Sequence, residues 1–210
     1  MPLACSIMMR LAHEDGRVTP LTLDVTDAAQ IQGAAEQVES LDILINNAGL
    51  ALQDDLNEPE MLQRHLAVNL FGTYGVTQAF LPLLTRSRGA IVNVLSLAAL
   101  TPAPPLPAYS ISKAAAFSLS QSLRARLAGR GVRVHAVLPG PVDTDMVRDL
   151  DIPTVDIPKA SPESVARAIF DGVDNGEKDI FPDPVSETLA EHWRSWATAL
   201  ERPNVDLIER

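Results

Sequence analysis

Residues 90–96 read AIVNVLS, 97–107 LAALTPAPPLP, 108–130 AYSISKAAAFSLSQSLRARLAGR and 131–138 GVRVHAVL. Ala90 to Leu95 is apolar almost throughout, as expected of a strand covered on both faces. A proline-rich loop follows, Thr101 to Pro107. Ala108 to Arg130 reads as a long helix stopped by Gly131. Val132 to Leu138 is a second apolar strand, closed by Pro139-Gly140-Pro141. A strand, a long helix and a strand make a parallel pair with a crossover helix.

The pattern repeats on both sides. Upstream, Val18 to Leu23 is a predicted strand, with Pro20 at its start or on an edge. Asp27 to Ser40 is a helix, and Leu41 to Ile45 a strand closed by Asn46-Asn47-Ala48-Gly49. Met61 to Leu84 reads as one long helix despite Gly72 and Gly75. Downstream, a loop runs to Pro158, and Ser161 with Pro162 caps a helix ending near Asn175. Asp179 to Phe181 is a short strand, and Glu187 to Arg202 a terminal helix. The alternation predicts a three-layer, doubly wound parallel α/β sheet in one domain, residues 1–210. Residues 1–17 form an atypical N-terminal segment, and 184–210 a C-terminal helix and tail. Ligands of such sheets bind beyond the carboxyl ends of the strands. Asp24, Asn46 to Gly49, Ser96 and Pro139-Gly140 fall on that rim.

Composition narrows the function. The chain has 210 residues, 46% hydrophobic and 21% charged, enough apolar material for a real core. A net charge of -10 disfavours nucleic acid and anionic membrane surfaces as partners. No run of about 18 apolar residues exists to span a membrane, and Met1 to Met9 lacks a basic leader region. The single cysteine, Cys5, fits a reducing compartment, so the expectation is a cytoplasmic protein. His13, His65, His135 and His192 have no ligand spacing, and no metal site is expected. Trp193 and Trp196 read as helix-packing residues. The apolar loops Leu97–Pro107 and Val147–Pro158 are expected to border a hydrophobic substrate cleft.

Three polar residues on or near the rim suggest chemistry. Tyr109 and Lys113 are one helical turn apart and share a face. A phenol with a pKa of about 10 is a poor base at neutral pH. A neighbouring ammonium stabilises phenolate and tunes the pair toward proton transfer. Ser96, at the end of the preceding strand, can hydrogen-bond a carbonyl or alcohol oxygen held against the tyrosine.

Ser96 followed by Tyr109-Ser-Ile-Ser-Lys113 resembles the Ser plus Tyr-x-x-x-Lys motif of the short-chain dehydrogenase/reductase family. Asn46-Asn47-Ala48-Gly49 after a strand, Asn69 in Val68-Asn-Leu-Phe-Gly72, Leu23-Asp-Val-Thr-Asp27 and Pro139-Gly-Pro-Val-Asp-Thr144 are similar to further family motifs. Together they cover residues 18 to 182 in family order. The resemblance implies a Rossmann-like fold and hydride transfer between NAD or NADP and a small carbonyl or secondary alcohol. Tyr109 would be the general acid/base, with Lys113 lowering its pKa and binding the nicotinamide ribose. Ser96 would orient the substrate oxygen, and Asn69 would hold a relay water. Asp24 and Val25 would contact adenine. Asn46, Ala48 and Gly49 would line the adenosine side, and Pro139, Gly140, Val142 and Thr144 the nicotinamide. Homodimers or homotetramers, with helices like 61–84 and 108–130 at the interface, are also implied.

One family element has no match. A glycine-rich turn brings backbone N–H groups and a helix N-terminus to the cofactor pyrophosphate. Before Val18 the only glycine is Gly16. The expectation is a missing or rearranged first βαβ unit, with an exposed edge on Leu41–Ile45 and Pro2 to Met9 antiparallel to 18–23. Three readings stay open: a nicotinamide-dependent oxidoreductase, a family relic retained for binding or scaffolding, and an incomplete gene product.

Overall fold

The computed structural model describes residues 18–150 and 158–208, with side chains described up to residue 196. The predicted pairing of Pro2 to Met9 and most of the loop before Pro158 lie outside the described residues. Within them, β1 (Ile43–Asn46), β2 (Ala90–Val94), β3 (Arg133–Val137) and β4 (Asp179–Ile180) form one sheet in that order. Every pairing is parallel, with Asn46 opposite Asn93, Ile91 opposite Val134 and Val137 opposite Ile180.

The helices are α1 (Ala28–Glu36), α2 (Pro59–Leu66), α3 (Thr73–Ser87), α4 (Pro107–Leu127), α5 (Asp145–Arg148), α6 (Pro162–Asp174) and α7 (Pro184–Ile208). Strand side chains alternate between faces. Leu44, Ile91 and Val134 pack against Ile31 of α1, Val76, Phe80 and Leu84 of α3, and Leu123 and Leu127 of α4. Val92, Val137 and Ile180 face the other way and meet Val165, Ile169 and Val173 of α6. Helices therefore cover both faces, the three-layer parallel arrangement expected from the apolar strands. Fully burying such a side chain contributes roughly 1.5–3 kcal/mol, so the two faces carry the stability and the rim is left for polar work.

Local signals explain most boundaries. Asp27 caps α1 by accepting from Ala29 and Gln30 N–H. Ser161 caps α6 by accepting from Ser164 N–H, with Pro162 in its first turn. Gly131, at φ 74°, closes the helical run that follows α4.

Three expectations need correcting. Val18 to Leu23 forms no strand. Pro20 has no N–H, no described strand lies alongside to complete a ladder, and Leu23 instead packs on the core beneath α1. Met61 to Leu84 is not one uniform helix. A π-helical segment, Ala67–Gly72, separates α2 from α3. At its end Gly72 meets Val25: a Cβ there would stand 2.8 Å from Val25 Cγ2 and 3.2 Å from its carbonyl oxygen, so only glycine lets that loop dock. The terminal helix begins earlier than expected, at Pro184, because Asp183 caps it.

No described strand pairs with the outer edge of β1, and Ile45 is 43% exposed there. The carboxyl ends of β1, β2 and β3 lead into Asn46–Gly49, Ser96 and Pro139–Gly140, one continuous rim.

Candidate active site

The site is assembled at the start of α4. Pro107 opens this helix, and its N-cap, Leu106, has no capping side chain. Asp54, from the loop after β1, supplies the missing acceptor: its carboxylate takes the Ala108 N–H at 3.2 and 3.4 Å. The cap fixes the turn that carries Tyr109 and, one turn on, Lys113.

Lys113 is buried, and its ammonium donates to the Val94 carbonyl at the end of β2 at 3.0 Å. Burial lowers its pKa from 10.5 to about 8. Its Nζ lies 5.6 Å from the centroid of the Tyr109 ring, within cation–π range. Tyr109 keeps part of its surface open. Protein packed around it raises the phenol above its ordinary value, and the smaller hydrogen-bonding effect of Ser96 pulls it down. Ser96 follows β2 and caps a short 3-10 turn, Leu97–Ala99, by accepting from Ala98 N–H at 3.1 Å. Its own proton remains to face the phenol.

Asn69 is buried inside the π-helical segment, a local widening often found at functional sites. Its Oδ1 accepts from Leu50 N–H at 2.8 Å. Its Nδ2 donates to Leu50 O at 2.9 Å and to Ser112 Oγ at 2.8 Å. Ser112 in turn donates to the Tyr109 carbonyl at 2.7 Å. Asn69 thus clamps the loop after β1 to the Tyr109 turn of α4, and both amide protons are spent.

Of the residues expected around a cofactor, Gly49 comes closest to this cluster. A Cβ there would lie 3.5 Å from Asn69 Oδ1 and 3.6 Å from Lys113 Nζ. Asn46 turns inward, donating to Asn93 Oδ1 at 2.8 Å and Thr77 Oγ1 at 3.1 Å, so its amide ties strands together. Ala48 is exposed. Asp24 is exposed and forms a closed turn, accepting from Thr26 N–H and Oγ1, which holds its carboxyl below the usual range. Val25 packs on Gly72. Pro139 and Gly140 meet the Ser96 turn, where Leu97 N–H donates to Pro139 O at 2.9 Å. Val142 pairs with Ala160 and leans on the α6 face, and Thr144 precedes α5.

Several contributors were not expected. Asn93 continues the buried polar row, donating to Ser120 Oγ at 2.8 Å. Its place in an apolar strand was the available signal. His65 is buried 6.5 Å from the Tyr109 ring, centroid to centroid. Its Nε2 accepts from Leu52 N–H at 3.1 Å, so the proton sits on Nδ1, 2.7 Å from Met61 O. Asp54 had no local signal at all. Trp193 is a packing residue, as expected, edge-on to Phe117 and donating to Asp179 at 2.9 Å. A largely apolar groove of about 430 Å³ runs along Ala98–Pro102, Leu56, Ile111 and Ala114. Among the described residues no helix is long and apolar enough to cross a membrane, and no group of three metal-binding side chains comes together.

Comparison with known proteins places this geometry. The short chain dehydrogenase family model matches residues 4–153. The chain is 43% identical over 136 residues to the 2,3-dihydro-2,3-dihydroxybenzoate dehydrogenase of Escherichia coli, covering 61% of this chain and 54% of the relative. It is 37% identical over 143 residues to the 3-oxoacyl-[acyl-carrier-protein] reductase of Thermotoga maritima, covering 64% and 58%. The chain thus spans little more than half the length of these relatives. It is similar to the crystal structure of a short chain dehydrogenase from Burkholderia cenocepacia in complex with NADP, with 34% identity and a TM-score of 0.78, covering 89% of this chain and 80% of that one.

The buried ammonium yields a stability prediction. Between pH 8 and 10.5 the unfolded chain binds more protons at Lys113 than the folded one, so stability rises with pH there. Replacing Lys113 by Met removes the cost of burying the charge, up to about 3 kcal/mol at neutral pH. The advantage of Lys113→Met over the wild type should be largest near pH 7 and shrink as pH rises above 8. Urea denaturation at several pH values measures it, and a pH-independent difference would contradict the burial of a charged Lys113.

Proposed function

Because this chain belongs to the short chain dehydrogenase family, we propose that it interconverts a small carbonyl and a secondary alcohol with Tyr109 as general acid/base. The observation that carries this reading is the meeting of Ser96, Tyr109 and Lys113 at one rim, under a capped helix start. The rim suits the nicotinamide-ribose half of a dinucleotide. Gly49 leaves the backbone bare beside Lys113 Nζ and Asn69 Oδ1, so a cofactor can approach the main chain there. Lys113 and Tyr109 offer hydrogen-bond donors there. Pro139, Gly140, Val142 and Thr144 border the nicotinamide side, and Asp24, Val25, Asn46 and Ala48 the adenosine side. NAD or NADP, when bound, supplies or accepts the hydride.

The protein's own part is proton transfer and positioning. In the reducing direction the carbonyl oxygen takes the phenolic proton of Tyr109. A raised phenol pKa keeps that proton in place until charge develops on the substrate oxygen. Ser96 O–H donates to the same oxygen and orients it. The Lys113 ammonium, held by Val94 O, faces the phenolate that remains. Asn69 acts through the backbone: by clamping Leu50 and Ser112 it holds the loop after β1 against the Tyr109 turn. Both amide protons serve this clamp, and an oxygen of Asn69 would hold the relay water that passes the proton on.

The same reading includes a homodimer or homotetramer. Phe71 (62% exposed), Tyr74 (48%), Leu56 (50%) and Ile111 (42%) leave large apolar side chains in water along the α3–α4 side. A second copy of this face would cover them.

Two measurements test these statements. Tyr109→Phe should lower kcat on a responsive carbonyl by about 10²-fold or more, while cofactor fluorescence titrations still show binding, with Kd raised by far less than kcat falls. Turnover that survives the change rules out Tyr109 as the acid/base. In light-scattering chromatography, the wild type should elute as a dimer or larger and Phe71→Glu should shift it toward monomer. A monomeric wild type at tens of micromolar removes the interface.

A further inference from the structure

Asp183 lies outside the cluster above, at the entry to α7, and is buried. Both carboxylate oxygens are engaged. Oδ1 accepts from Val185 N–H and Ser186 N–H, each at 3.0 Å, which caps the helix. Oδ2 accepts from Gly140 N–H at 2.8 Å. A helix cap needs one oxygen; the second is committed to a loop more than forty positions away in the chain. Gly140 makes this possible, since a Cβ there would stand 2.8 Å from Asp183 Oδ1 and 3.1 Å from Val185 Cβ.

The Gly140 N–H belongs to the same planar amide as the Pro139 carbonyl. That carbonyl accepts from Leu97 N–H at 2.9 Å. One rigid peptide plane is therefore gripped at both ends, by Asp183 on one side and by the Ser96–Leu97 turn on the other. Rotation of the plane that breaks one bond moves the other. Pro139 is buried, and the preceding residue, Leu138, donates to Ile180 O at 2.8 Å, so the plane has little freedom elsewhere.

We propose that Asp183 is a positioning residue: by fixing the Pro139–Gly140 peptide plane, it sets the Ser96–Leu97 turn and the angle at which the Ser96 hydroxyl meets the Tyr109 phenol. The proposal rests on the reading of Ser96 and Tyr109 as working partners. It assigns the cap of α7 a second duty that an ordinary cap does not have. An amide in place of the carboxylate offers one acceptor oxygen and cannot satisfy both α7 and Gly140.

The test needs no turnover. The chain has two tyrosines, Tyr74 on the surface and Tyr109 at the site. Protein carrying ¹³C at tyrosine Cζ gives one resonance for each, assigned with Tyr109→Phe. Ser96→Ala defines the full displacement of the Tyr109 signal when the hydroxyl is lost. Asp183→Asn should displace that signal in the same direction by at least half as much and leave Tyr74 in place. Asp183→Ser keeps a capping hydroxyl for α7 without reaching Gly140, and should do the same if the Asn variant does not fold. A folded Asp183 variant with an unmoved Tyr109 signal, beside a Ser96→Ala signal that moves, overturns the proposal and leaves Asp183 as a cap only. A Ser96→Ala signal that stays put overturns it differently, by removing the Ser96–Tyr109 contact on which the function itself was read.

Discussion

A lysine ammonium buried at the edge of a parallel sheet costs free energy that the rest of the rim has to offset. Lys113 meets one carbonyl, Val94 O, and its pKa falls toward 8 because burial disfavours the charge. Such a group persists only where neighbours hold it rigidly and leave no easier rotamer. Here Ser112, next in sequence, is fixed by Asn69, and Asn69 is fixed by both backbone groups of Leu50. The helix that carries Lys113 is pinned at its start by Asp54. These contacts join residues distant in sequence and together link three separate chain segments.

The same logic runs beneath the rim. Asn46, Asn93, Thr77 and Ser120 form a polar row on the face otherwise filled by Leu44, Ile91 and Val134. A buried amide left unpaired costs about 1–3 kcal/mol, so this row sets the lateral register of β1 and β2 against α3 and α4. At the far edge, Asp179 accepts from both Arg124 and Trp193, joining β4 to α4 and α7. The rim that carries Ser96, Tyr109 and Lys113 stands between these two fixed regions.

Much of this was legible in the residues. Helical spacing placed Tyr109 and Lys113 on one face, and turn chemistry closed the strands where Asn46, Ser96 and Pro139 lie. The Asn46 amide joins strands, structural work compatible with the cofactor contact also expected of Asn46–Gly49. The π-helical segment was hidden because Ala67–Gly72 keeps helical composition. Asp54 and Asp183 were hidden for a different reason. Each is a cap or clasp for a segment far away in sequence, and spacing rules carry no information about such pairs. Val18–Leu23 failed as a strand because alternation of residues cannot supply a neighbouring ladder.

The central proposal is that this rim serves hydride transfer between nicotinamide and carbon, coupled to proton transfer between Tyr109 and the substrate oxygen. The most direct measurement incubates the chain with NADPH or NADH stereospecifically deuterated at C4 and a panel of aldehydes and ketones, and follows the products by mass spectrometry. The account predicts an alcohol carrying one deuterium at the former carbonyl carbon, formed from one face of the cofactor ring. Cofactor that remains unoxidised across the panel, or alcohol whose new hydrogen comes from water, would contradict it.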